Sequence, residues 1–142
     1  MATATTQEVI VIGRLHHIVL DCPDPMALAR FYAELLGWPI THTSRDWVVV
    51  AQSNRHSGIA LQLAPDHVPP VWGDAGRPQQ VHVDVMVDDR SAAQKQVLAL
   101  GARRLTPDGA RGDVYADTAG HPFCLIDLPS WAPPVHGTRP SS

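Results

Sequence analysis

The sequence predicts an α+β fold in which two tandem βαβββ modules form a curved mixed sheet around a cavity. Three observations carry the prediction. Ala27, Leu28, Phe31, Tyr32, Leu35 and Leu36 recur at helical spacing up to Gly37, and three β-rich stretches follow with no second helix among them. Val81, Val83, Val85 and Val87 alternate with other residues as in a half-buried strand, and a shorter helical pattern follows. The halves also keep one register: His17 to His82 is an offset of 65, Leu36-Gly37 to Leu100-Gly101 of 64, and Gln62 to Cys124 of 62. That order of elements, repeated once, reads as an internal duplication.

Each element has a local cause. The first strand is the run Ile10 to Leu20, interrupted by Gly13, and the turn Cys22-Pro23-Asp24-Pro25 can cap the helix behind it. Gly37 and Pro39 stop that helix. Ile40 to Thr43, Trp47 to Gln52 and Ile59 to Ala64 supply the remaining strands of the first module. In the second, the strand Val81 to Val87 leads to a helix from Ser91 to Leu100 with Ala93, Val97 and Leu100 on its buried stripe. Gly101 ends it, and strands follow at Arg103 to Leu105, Val114 to Asp117 and Phe123 to Leu128. The expected organisation is a flexible N-terminal tail over 1–9 and one domain over 10–128. Within it lie a first module at about 10–64, a linker at 65–79 and a second module at about 80–128, and a Pro-rich tail covers 129–142.

Composition narrows the function classes. A chain of 142 residues with 44% hydrophobic and 18% charged residues can bury a core and still enclose a small cavity. Net charge is −3, and ten arginines with the single Lys95 are scattered, so no basic stripe for nucleic acid is present. No apolar run reaches the roughly 20 residues that span a bilayer, and Met1 to Glu8 lacks the regions of a signal peptide. Cys22 and Cys124 are too few and too far apart for a disulfide framework. The expectation is a cytoplasmic protein with reduced thiols and neither a nucleic-acid nor a membrane partner. Arg111-Gly112-Asp113 reads only as a turn.

Alternation shows which side chains share a face. Opposite the valines of the second module's first strand lie His82, Asp84 and Met86. Opposite Ile59, Leu61 and Leu63 lie Ala60, Gln62 and Ala64, while His17 shares a face with Val19, and Cys124 with Ile126. Small residues beside a single polar one suit the wall of a ligand cavity.

His17 seven residues before Asp24, the Phe31-Tyr32 and Leu35-Leu36-Gly37 helix, His82 six before Asp88, and the segment from Asp117 through Gly120-His121-Pro122-Phe123 to Cys124 together resemble the vicinal oxygen chelate superfamily. This is the glyoxalase, bleomycin-resistance and extradiol-dioxygenase group. Gln62, Pro69-Pro70-Val71-Trp72 and Gln79-Gln80-Val81-His82 are similar to its glyoxalase-like bacterial branch, and the resemblance covers residues 10–128. It implies sheets curving around a cavity and, in the enzymes, a divalent metal held from the first and last strands of each module. The matching positions are His17, Gln62, His82 and Cys124. Where many relatives carry a glutamate on each last strand, this chain has Gln62 and Cys124, so no carboxylate stands at those positions.

The expected function is therefore binding of a small, largely apolar or aromatic organic molecule, for sequestration or resistance, without the usual metal. The expected contacts are His17, Gln62, Trp72, His82, Asp84 and Cys124, with Val19, Ala60, Ala64, Met86 and Ile126 as walls and Trp72 over the mouth. The alternative is an enzyme. It would be a metal-dependent lyase, isomerase or dioxygenase with zinc or iron on His17, Gln62 and His82, or a metal-free catalyst of rearrangement. Uncovered strand edges further predict a homodimer.

Overall fold

Two aspartates start the two helices. In the computed structural model, which describes residues 11–107, 112–131 and 133–135, Asp24 accepts a hydrogen bond from the Ala27 backbone N–H at 3.1 Å and Asp89 accepts one from Ala92 at 3.0 Å. Helices α1 (Pro25–Leu36) and α2 (Arg90–Ala99) follow. Pro25 occupies the first turn of α1, where its missing N–H costs nothing, and Gly37 at φ 67° closes it in the left-handed region that a side chain disfavours. The caps lie 65 residues apart, the same interval as His17 to His82.

Each helix is embedded in a four-stranded sheet. Strands β1 (His17–Cys22), β2 (Ile40–Thr43), β3 (Trp47–Val50) and β4 (Gly58–Leu63) assemble in the order β1-β4-β3-β2. Strands β5 (Val83–Met86), β6 (Arg103–Arg104), β7 (Asp113–Ala116) and β8 (Pro122–Ile126) assemble as β5-β8-β7-β6. The parallel pairs are β1 with β4 and β5 with β8, and the other pairings are antiparallel, so the second sheet repeats the topology of the first. Among the described residues no helix is long and apolar enough to cross a membrane.

Register corrects one detail of the repeat. Val19 stands opposite Ala60, and Asp84, 65 residues on from Val19, stands opposite Cys124. Cys124 is thus the counterpart of Ala60, while Gln62, opposite Asp21, matches Ile126, opposite Met86. The face assignments survive, because Ala60 and Gln62 share a parity.

Both leading strands begin later than their apolar runs suggest: Leu15 and Val81 are 66% and 63% exposed. Pairing sets a strand's start, and the partners begin only at Gly58 and Pro122. The N-terminal tail, Ile10 and Arg111 of the expected turn lie outside the described residues, as does most of the C-terminal tail.

One core spans both modules. Leu28, Phe31 and Tyr32 of α1, Val48, Val50, Ile59 and Leu61 of the first sheet, and Val85, Tyr115, Phe123 and Leu125 of the second belong to one buried cluster. Phe31 meets Phe123 edge to face at 5.7 Å. Beside them, Tyr32 donates a 2.6 Å hydrogen bond to the buried Asp117 carboxylate. Asp117 also accepts from the Ala119 and His121 backbone N–H groups and from His121 Nδ1. His121 stacks on His67 of the linker, whose Nε2 donates to the Ala119 carbonyl. Gly120, at φ 93°, passes so close to Pro69 that a Cβ there would lie 2.5 Å from the proline ring. The linker is thereby pinned to the β7–β8 turn, and the helix-bearing face of each sheet is consumed by the core. What is left for a ligand is the opposite face of each sheet.

Candidate functional site

Parallel pairing and strand period build a cluster on the outward face of the second sheet. Asp84 and Cys124 are register partners on β5 and β8, so their side chains rise side by side, and His82 stands two residues before Asp84 on the same side. One donor atom from each of His82, Asp84 and Cys124 falls within 4.8 Å of the other two. His82 Nε2 lies 3.2 Å from Asp84 Oδ1. The Cys124 thiol is pushed up to about 11, first by burial and then by the charge and hydrogen bond of Asp84, with Asp113 adding to it. At neutral pH it is therefore a thiol, and a poor nucleophile.

The first sheet presents a different surface. His17 is half buried, touches the His16 ring with centroids 4.0 Å apart, and approaches Trp47 edge to face at 6.0 Å. Burial and the neighbouring His16 push its pKa below the usual imidazole value. Below it, Val49, Ala51 and Ala60 form a small buried cluster against which Trp47 packs. Val19 of β1 remains exposed. Gln62 is exposed and stands opposite both Asp21 and Trp47.

The expectation that His17, Gln62, His82 and Cys124 converge is met only for the last two. His17 faces Gly58 and Gln62 faces Asp21, four positions along one ladder, which is about 13 Å at the strand rise. His17 is not a member of the His82 cluster. The missing element in the sequence reading was register: Asp84, which it did not count among the metal ligands, is the carboxylate that the last strands lack. Trp47, Val49 and Ala51 were overlooked, although their alternation along β3 placed them on the face of Ala60.

Trp72 lines a shallow, open hollow of about 280 Å³ formed by the linker itself, with Gly73, Asp74, Ala75, Pro78 and Gln79. A neighbouring small hollow joins it to Leu105, Gly120 and Pro122 of the second module.

The donor set fits a metal of the borderline kind. Imidazole, carboxylate and thiol suit zinc or a similar transition ion better than magnesium or calcium, which prefer all-oxygen shells.

Comparison with known proteins agrees with the geometry. Residues 17–126 match the family model described as a glyoxalase-like domain. No curated protein matches the chain. Among solved structures, a glyoxalase-related enzyme from Fulvimarina pelagi is 20% identical, with a TM-score of 0.62 over 89% of this chain and 96% of that one. A glyoxalase/bleomycin resistance protein/dioxygenase family enzyme from Burkholderia phytofirmans PsJN is 14% identical, with a TM-score of 0.63 over 82% and 99%. The fosfomycin resistance protein FosX from Listeria monocytogenes is 15% identical, with a TM-score of 0.63 over 85% and 98%. At these identities the likeness is one of fold.

Proposed function

Since the chain belongs to the glyoxalase-like domain family of the vicinal oxygen chelate superfamily, we propose that it binds a small, largely apolar or aromatic organic molecule on the outward faces of its sheets and sequesters it. The observation that carries this reading is the composition of those faces. Trp47, packed against the buried Val49, Ala51 and Ala60, floors the first, and Met86 and Ile126 flank His82, Asp84 and Cys124 on the second. Apolar floor with few polar contacts is what a small organic ligand requires, and neither set includes the lysine or arginine that would hold a phosphate.

A second reading is an enzyme of the same fold, and the His82, Asp84 and Cys124 cluster favours it. In that case His82 and Asp84 supply proton-accepting groups 3.2 Å apart, and a metal ion would polarise a substrate oxygen. A homodimer belongs to either reading. β1 and β5 are sheet edges, and Ile18, Val19 and Val81 expose apolar surface on or beside them, which a second copy would cover. Light scattering at high concentration tests it, and a monomer contradicts it.

The sequestration reading is tested by titrating chelator-treated protein with a panel of flat aromatic and of phosphorylated compounds while following indole fluorescence. Saturable quenching by an aromatic compound that is recovered unaltered supports it. Binding of phosphates alone overturns it, and turnover of the compound transfers the case to the enzyme.

A further inference from the structure

We propose that the hollow on the linker, walled by Trp72, Asp74 and Gln79, binds the ammonium group of a small organic amine. The inference goes beyond the proposed function, because its ligand is a cation and its site lies on the linker rather than on the sheets.

The chemistry of the walls is the first argument. The side chains there that can make a directed contact are an indole, a carboxylate and an amide, from Trp72, Asp74 and Gln79. An indole face attracts a cation through its quadrupole, and carboxylate and amide oxygens accept hydrogen bonds. Neither this hollow nor the smaller one beside it is lined by lysine, arginine or histidine, and Arg77 of the same turn is not among the lining residues. Gly73, Ala75 and Pro78 add apolar contact for a hydrocarbon body. A volume of about 280 Å³ falls just below the roughly 300–1,000 Å³ of sites that enclose drug-sized ligands, so the hollow suits a compact amine.

An unmet acceptor is the second. Gln79 Oε1 is buried and has no hydrogen-bond partner among the described residues, whereas folded proteins pair nearly all such atoms. Gln79 and Trp72 line both hollows, so the unmet oxygen and the indole belong to one surface. The residue as a whole is half-buried, and turning its amide brings Oε1 to a donor seated in the hollow. An ammonium N–H is such a donor, and a charge-assisted bond is stronger than a neutral one.

The third is that the turn is already formed. The Val71 N–H donates to the Arg77 carbonyl at 2.8 Å, and the Asp74 N–H to the Val71 carbonyl at 3.0 Å. The Gly76 N–H donates to Asp74 Oδ1 at 2.7 Å, which fixes the carboxylate and leaves Oδ2 as the oxygen a cation would meet. His67 and Pro69 pin the start of the linker to the β7–β8 turn. Within this fixed turn Trp72 is still 39% exposed. A ligand seated against it therefore costs little loop ordering.

NMR titration of the full chain with cyclohexylammonium tests the site. Saturable shifts of the Trp72 indole and the Gln79 side-chain amide are expected, with none from cyclohexanol or cyclohexanecarboxylate. Cyclohexyltrimethylammonium, which has no N–H, should bind about 10-fold or more weaker, as should cyclohexylammonium to Gln79→Leu. Gln79→Leu should not lower Tm, since Oε1 has no bond to lose. Trp72→Leu should weaken binding by about 2–5-fold, the scale of a cation–π contact at an exposed site. Asp74→Asn should weaken it too, while Asp46→Asn, an exposed carboxylate on another loop, should leave it unchanged. Absence of saturable shifts, equal binding of cyclohexanol or the carboxylate, or undiminished affinity in Gln79→Leu and Asp74→Asn overturns the proposal. The aromatic panel reads the sequestration proposal with uncharged compounds at the sheets, so the two fail independently.

Discussion

Tyr32→Phe removes one oxygen from the centre of the molecule and leaves the ring packing in place. The hydroxyl is fully buried and donates at 2.6 Å to Asp117, itself 4% exposed. After the substitution Asp117 keeps His121 Nδ1 at 2.9 Å and the Ala119 and His121 backbone N–H groups. The carboxylate is not stranded, so the cost is that of one charge-assisted hydrogen bond, about 1.5–3 kcal/mol, rather than the 3–5 kcal/mol of an orphaned buried charge. For a chain of this size that lowers Tm by roughly 5–10 °C. Urea unfolding of wild type, Tyr32→Phe, Asp117→Asn and the double variant gives the coupling directly, with unchanged m-values as the check on two-state behaviour. A loss below about 0.5 kcal/mol, or strict additivity in the cycle, refutes the claim that this bond ties α1 to the β7–β8 turn.

Alkaline stability follows from the same buried groups. Burial pushes the Cys22 thiol from 9.0 up to about 11 and holds Tyr32 well above its usual 10. Above pH 9 the unfolded chain gives up protons that the folded chain keeps, so stability should fall between pH 9 and 11 and further above it. The urea midpoint should therefore drop between pH 7.5 and 10.5, and drop less in Cys22→Ala. The helix caps are separable: Asp24→Ala and Asp89→Ala should each cost about 1 kcal/mol in the same assay, additively, because they serve different helices.

The elements were legible where the signal is local. Helical spacing, capping aspartates and terminating glycines all act within a turn of the chain, and the α+β class with its duplication followed from them. Strand starts were not, because Leu15 and Val81 carry the right propensity but lie outside the strand pairing, which begins at His17 and Val83. The offset of 62 between Gln62 and Cys124 was misleading for a related reason. Equivalence in a parallel pair is fixed by which residues face each other across it, and no spacing in one strand reports that. Half of the candidate site was visible as His82, Asp84 and Cys124 on outward faces. Their contact, and the separation of His17 from Gln62, depended on register. Nothing in the sequence pairs Tyr32 with Asp117, 85 positions away. The local surroundings of Trp72, a hollow in its own linker beside Leu105, Gly120 and Pro122, also depended on contacts that no spacing reports, because His67 and Pro69 pin that segment to the β7–β8 turn.

If the outward sheet faces hold the organic ligand, their resonances must respond to it. Backbone and methyl NMR of the protein titrated with an aromatic ligand from the fluorescence screen tests it most directly. The saturating shifts should fall on Val19, Val49, Ala60, Met86 and Ile126 and spare Leu28, Val85 and Leu125 of the core. Shifts confined to Trp72, Ala75 and Gln79 of the linker cavity would contradict it.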